Sequence, residues 1–168
     1  MPQQSRNLTK PKNIPSVSGG YIWADNTNKC FYQFGGEFSD GPPAEFGMWT
    51  YDVLLDQWNS TLASGEKSPQ RVSFGAGTQV EDRGLGFYFG GWLSNRTSTD
   101  WEGPSMITNG LMRFDFSTGE LKNISGPDDI GRAEGHLTYL PVSDGGVLVY
   151  FGGIEDSHRN GSFTPVRR

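Results

Sequence analysis

Three stretches decide the fold: CFYQFGGEF (30–38), GFYFGGWL (86–93) and LVYFGGIE (148–155). Each is a short apolar, aromatic-rich run that stops on paired glycines: Gly35 and Gly36, Gly90 and Gly91, Gly152 and Gly153. The pairs lie 55 and 62 residues apart, near the period of roughly 50 residues that marks architectures built from large repeats. A strand that ends on two residues without Cβ turns sharply and lets a neighbouring backbone or ring come close.

The register extends beyond the glycines. Tyr51-Asp52 stands seven residues before Trp58, and Phe114-Asp115 seven residues before Leu121. Upstream, the lead-ins SVSGG (from Ser16), RVSFGAG (from Arg71) and RAEGH (from Arg132) precede the Phe just before each Gly-Gly (Phe34, Phe89 and Phe151) by 18 or 19 residues. The pattern predicts four short strands per copy, near 16–24, 29–34, 48–54 and 57–62, then 72–80, 86–89, 110–116 and 120–124. A third copy supplies two, near 135–141 and 147–151. Apolar positions alternate or run continuously, and no helical spacing competes. Asp56 and the run 117–119 are turn formers. The connections 37–47 and 92–109 are rich in Gly, Pro, Ser and Asn, and loops of such length are usually functional or mobile.

Composition agrees with an all-β chain. Among 168 residues there are 24 Gly and 10 Pro, with 13% aromatics, the mixture expected of many strands joined by tight turns. The net charge is -5, from 14 Lys and Arg against 19 Asp and Glu. No basic block is present, so nucleic acid is not an expected partner. The longest apolar run, GVLVY (146–150) leading into FGG, is far too short to cross a membrane. The polar start, MPQQSRNLTKPKNIP, has no apolar centre and does not read as a signal peptide. With Cys30 alone, neither an internal disulfide nor a multi-cysteine metal site is expected. Five of nine Asn lie in N-x-[ST] sequons: Asn7, Asn59, Asn95, Asn123 and Asn160. Chance accounts for about one or two, so relatives that pass through a secretory route are expected.

Strand-Gly-Gly, then aromatic-Asp, then Trp seven residues on: this order resembles the kelch repeat, over nearly everything from Ser16 to Ile154. The segments GGYIWADNTNKCFYQFGG, RVSFGAGTQVEDRGLGFYFGGW and RAEGHLTYLPVSDGGVLVYFGG are similar to kelch proteins of filamentous fungi, many of them at the cell surface. The resemblance implies a partial β-propeller of four-stranded antiparallel blades whose ring is not closed. Its parts are a polar tail (1–15), blade 1 (16–62), blade 2 (71–124), half of blade 3 (132–154) and a second polar tail (155–168). It implies an extracellular or cell-surface place for the full-length relative, and a chain that is a fragment of a larger propeller. In the family the repeat Tyr and Trp pack between blades. Tyr51 and Trp58 match those places, while Phe114 and Leu121 depart from them but stay apolar. An open arc leaves apolar blade faces uncovered, so marginal stability and self-association, or further blades, are expected.

The expected function is recognition of a protein or glycan, with no catalytic residue, metal or other cofactor assigned. Arg71 and Arg132 occupy equivalent lead-ins. In kelch adaptors arginines at the matching loop grip acidic peptides, and a guanidinium suits that by its two-pronged contact. The loops after Gly-Gly are expected to bring Glu37, Trp92, Asn95 and Trp101 beside them. Against this stands a structural role, in which the two arginines pair within the blades. The alternative function is a degenerate or partial carbohydrate oxidase or lyase related to galactose-oxidase-like propellers. Its metal chemistry would need more than Cys30 and Tyr32, two residues apart on one strand, where Cys30 reads as a small buried hydrophobe. His136 and His158 are the only histidines, and Glu155, Asp156 and His158 read as a solvated loop cluster.

Overall fold

A computed structural model describes residues 10–39, 41–61, 69–157 and 161–166. Its first four strands are β1 (Val17–Asp25), β2 (Cys30–Phe38), β3 (Met48–Asp52) and β4 (Gln57–Thr61). Next come β5 (Ala76–Val80), β6 (Leu85–Phe89), β7 (Trp92–Leu93), β8 (Met106–Ile107), β9 (Leu111–Asp115) and β10 (Leu121–Ile124). The last are β11 (Gly131–Ala133), β12 (His136–Leu140), β13 (Val147–Phe151), β14 (Ile154–Asp156) and β15 (Thr164–Pro165). Among the described residues the only helical element is the 3-10 turn Glu81–Arg83.

β1 to β4 make one antiparallel sheet in chain order, and β5, β6, β9 and β10 make a second. They are blades 1 and 2. The β12–β13 hairpin begins blade 3, β7 pairs with β8, and β14 lies between β11 and β15. Among the described residues no sheet closes on itself, and the blades do not complete a ring.

Local chemistry sets the hairpins. The Asp25 carboxylate accepts the amides of Thr27 and Asn28 at 2.9 and 3.0 Å. Asp52 does the same for Leu54 and Leu55, and Asp115 for Ser117 and Thr118. Such Asx turns give the backbone a ready-made reversal, which is the physical use of an Asp after the repeat aromatic. Across the two turns that follow β3 and β9, Tyr51 lies directly opposite Trp58 and Phe114 directly opposite Leu121. The two pairs therefore hold the same register.

Blade packing centres on aromatic rings. Trp23 stacks on Phe114 at 5.6 Å, Phe34 meets Tyr88 edge-on at 5.0 Å, and Tyr32 meets Phe114 at 4.9 Å. All but Tyr32 are almost wholly buried, and each such burial stabilises by about 2–3 kcal/mol. Cys30 and Tyr32 belong to this core. The core between blades 2 and 3 is smaller, with Ala76, Phe89 and Leu137 at its centre.

Two expectations need correction. The segment from residue 155 is not simply a polar tail. Glu155 and Asp156 continue β14, whose backbone pairs with Arg132 and Gly131, and Thr164 pairs with Glu155 in turn. The lead-in edge of blade 3 needs a ladder partner, and this segment supplies it. The connections after Gly-Gly are also shorter than expected, because β2 runs on to Phe38 and 92–109 contains the β7–β8 pair.

Candidate functional site

The six residues expected to form one binding face do not share one set of contacts. Arg71 is 4% exposed. Its guanidinium donates to the Gly35 carbonyl at 3.0 Å and reaches the Gly47 carbonyl at 3.4 Å. It also lies over the rings of Phe38 and Phe46, at 5.1 and 5.9 Å, a contact that favours a cation. Burial lowers its pKa from the ordinary value. Arg71 ties the lead-in of blade 2 to the strand end of blade 1. It is not a free grip for a ligand, and that part of the expectation is withdrawn.

Arg132 is also engaged. It makes a two-pronged pair with Asp128 at 2.7 and 2.9 Å, with Glu155 3.9 Å away. The hydrogen bonds from Arg132 hold the Asp128 carboxyl below its usual range. The fork that suits a ligand carboxylate is thus filled by the chain's own. Glu37 pairs with Arg96 at 3.5 Å, and the Phe38 amide donates to the Arg96 carbonyl at 3.0 Å, tying the two loops that follow Gly-Gly to each other. Asn95 is exposed at the tip of the second loop. The indole N–H of Trp92 donates to Glu134, and its ring meets Phe163. Among the described residues the Arg71 guanidinium lies over Phe38 and Phe46 and that of Arg132 pairs with Asp128, and neither contacts a tryptophan ring.

Trp101 is different. Its ring leans on the core between blades 1 and 2 and its indole N–H donates to the Pro104 carbonyl at 3.0 Å. It lines a groove of about 720 Å³ with Met106, Gln70, Asn109, Asp129 and Asp156. Met106 is exposed, while Asp156 is buried and accepts the Gly161 amide at 3.2 Å. The arrangement is an apolar floor with carboxylates and amides around it, the general form of a binding cleft. Sequence reasoning named Trp101 and missed Asp129, in the loop before β11, and Met106, in β8. Asp156 had drawn notice beside Glu155 and His158, but His158 lies outside the described residues and Glu155 faces Arg132. Among the described residues no three His, Cys, Asp or Glu side chains converge as a metal site would require.

The repeat registers, the blade sheets and their packing can be set beside known proteins. A kelch repeat-containing protein of Arthroderma benhamiae is 31% identical over 148 residues, which is 79% of this chain and 22% of that protein. The solved structure of YjhT, a kelch propeller, superposes with a TM-score of 0.55 over 84% of this chain and 35% of that one, at 18% identity. The chain is a kelch-repeat propeller arc. The arc spans about a fifth of the length of the fungal relative and about a third of YjhT. No family model matches it.

The sequons of the arc divide in two. Asn59, Asn95 and Asn123 are exposed, and Asn7 and Asn160 lie outside the described residues. No helix among those residues is long and apolar enough to cross a membrane.

Proposed function

We propose that this kelch arc is a non-catalytic recognition module that binds a protein or glycan partner in the groove beside Trp101. The observation that carries the reading is the groove itself. Trp101, Met106, Leu93, Ile107 and Pro104 form its apolar part, and Asp129, Asp156, Asn109 and Gln70 line its polar part. Indole faces stack on sugar rings and anchor peptide side chains alike. The lining differs from the acidic-ligand pocket expected from the arginines, because carboxylates and amides stand in it in place of guanidinium groups. The oxidase alternative draws no support, since Cys30 and Tyr32 are buried in the core between blades. A cell-surface place is part of the proposal, and the three exposed sequons are where glycans would attach.

The test is binding of the full chain to a glycan array and to a displayed random-peptide library. Hits that are lost on Met106→Glu, with the fold intact by circular dichroism, support the groove. Hits indifferent to both Met106→Glu and Trp101→Ala, or no hit at all, overturn it.

A further inference from the structure

The joint between blades 1 and 2 is tight along its inner strands. Gly36 donates its amide to the Val72 carbonyl at 2.8 Å, and Gly91 repeats the contact with the Arg132 carbonyl, also at 2.8 Å, in the joint between blades 2 and 3. A Cβ on Gly35 would stand 2.6 Å from the Val72 oxygen, and one on Gly90 1.9 Å from that of Arg132, so no side chain fits there. The outermost strands of the first joint, β4 and β10, are not closed in this way. The core reaches Met112 and Leu121, 6% and 3% exposed. Gln57, Asn59 and Ser60 on β4, and Lys122 and Asn123 on β10, are exposed.

Two of these residues are the Asn of sequons, N-S-T at 59–61 and N-I-S at 123–125. The ladders show which way they face. Asn59 lies opposite Thr50, Thr50 opposite Tyr32, and Tyr32 opposite Trp23. Asn123 lies opposite Met112, Met112 opposite Tyr88, and Tyr88 opposite Gly77. Residues paired across a ladder share a face of the sheet. Tyr32 meets Phe114 of blade 2, and Tyr88 meets Phe34 of blade 1. Asn59 and Asn123 therefore stand on the two surfaces that face each other across this joint, at its outer rim. Both are exposed with the two blades in place, and any further blade would stack on the opposite faces.

The strands that carry them need a guard. Among the described residues nothing pairs with the outer side of β4 or of β10. Blades stack by their faces, so those edges stay at the circumference however many blades the propeller has. A bare edge is a template for pairing with another chain, and proteins blunt it with Lys, Pro, a bulge or a cover. β4, Gln57–Thr61, has no charged residue and no Pro. β10 has Lys122 alone, already paired with Glu120 at 2.7 Å. Each strand instead carries an exposed sequon. Beside Asn123 an open depression of about 650 Å³ is walled by Asn109, Ser125, Asp128 and Asp129, side chains whose oxygens and amides suit sugar hydroxyls.

We infer that Asn59 and Asn123 carry N-linked glycans that fill the rim of the joint between blades 1 and 2 and shield the free edges of β4 and β10. The transfer joins the Asn side-chain nitrogen to the anomeric carbon of an oligosaccharide borne on a lipid diphosphate. The bond from that carbon to the diphosphate oxygen breaks, the lipid diphosphate leaves, and the amide gives up one proton. A bulky, solvated group then stands where another chain would have to pair. The inference rests on the cell-surface place proposed above and is independent of the groove.

The test is secretion of the full chain from yeast behind a cleavable signal peptide, with site occupancy read by peptide mass spectrometry. Asn95, exposed in a loop and on no strand edge, is the reference sequon. Both Asn59 and Asn123 should be occupied. Aggregation on concentrating the protein, followed by light scattering, should be severalfold faster in Asn59→Gln with Asn123→Gln than in wild type, and unchanged in Asn95→Gln. Trimming the glycans on the folded wild type to a single sugar with an endoglycosidase should have the same effect as the double substitution, which keeps the test independent of how the variant folds. Asn59→Lys with Asn123→Lys, a guard of another kind, should slow aggregation again. Occupancy at Asn95 alone would overturn the inference and leave the cell-surface place standing, and no occupancy at all would overturn both. Full occupancy at Asn59 and Asn123 with aggregation unchanged by their loss would overturn the shielding of the edges.

Discussion

Replacing Tyr88 by Phe removes one oxygen from the centre of the arc and leaves the ring in place. Tyr88 is fully buried between blades 1 and 2, with its ring against Phe34. Its hydroxyl accepts the Gly75 amide at 2.7 Å. That amide follows the left-handed residue Phe74, which turns the chain from the lead-in into β5. The cavity left by one oxygen is small, so the loss comes from the hydrogen bond and from the donor left behind. A buried donor without an acceptor costs about 1–3 kcal/mol, which places the substitution near 2 kcal/mol. For a chain of this size that lowers the melting temperature by about 4–8 °C. The assay is thermal and urea unfolding at one fixed protein concentration, because association would shift the midpoint by mass action. An unchanged urea slope is expected. Tyr150→Phe is the internal control: Tyr150 is only half-buried and donates to the Ala133 carbonyl at 3.0 Å, so its loss should be clearly smaller. A Tyr88→Phe chain within about 0.5 kcal/mol of wild type, or a larger effect at Tyr150, would refute the view that this bond fixes the joint.

Gly90→Ala should cost more than about 2 kcal/mol by unfolding, since strain adds to the clash with the Arg132 carbonyl. Gly152→Ala should cost only the left-handed strain of about 1 kcal/mol, because a Cβ there meets no described atom within 4 Å. Arg71→Ala should lower stability by about 1.5–3 kcal/mol, with Arg71→Lys recovering part of it. A stable Arg71→Ala chain that has lost a ligand would restore the binding role. Burial raises the pKa of the Tyr32 and Tyr88 hydroxyls, so both contribute stability that is complete below the unfolded phenol value of 10.0 and lost as pH rises above it. Urea midpoints should therefore fall on the alkaline side of that value, and less steeply in Tyr88→Phe, whereas a flat profile would contradict the burial. Hydrogen exchange should find the amides of β12 and β13 less protected than those of β2 and β6, because the second core is the smaller. Equal protection would show the two joints to be equally strong.

What could be read in the sequence was what local chemistry decides. Paired glycines, an Asp two residues before a reversal and an aromatic before that Asp each act within a few residues of chain, so their order gave the blade registers. Tyr51 opposite Trp58 and Phe114 opposite Leu121 follow from the turn at Asp52 and the turn at Asp115. The arginines failed for the opposite reason. Arg71 looks like a loop residue because polar residues precede it, but its partners are the carbonyls of Gly35 and Gly47 and the rings of Phe38 and Phe46. None of these is a near neighbour in the chain. β14 was missed similarly, since its partner strand lies some twenty residues earlier. The groove needed Trp101, Asp129 and Asp156 from three separate segments.

The same division explains how the arc is put together. Within a blade, turns and ladders are locally written, and they recur with little regard to which aromatic fills a place: Phe114 stands in for Tyr51, and Leu121 for Trp58. Between blades the backbone contacts repeat, while the side chains alternate in size. Tyr21 and Trp23 press on Gly77 and Gly86, whereas Ala76 and Thr78 receive Leu137 and Leu148. A glycine at position 77 is therefore a statement about blade 1, not about β5. Leucine at position 137 is a statement about blade 2. By the same logic Ile22 and Phe31, large and exposed on the far face of blade 1, are statements about what packs against that face and not about β1 and β2.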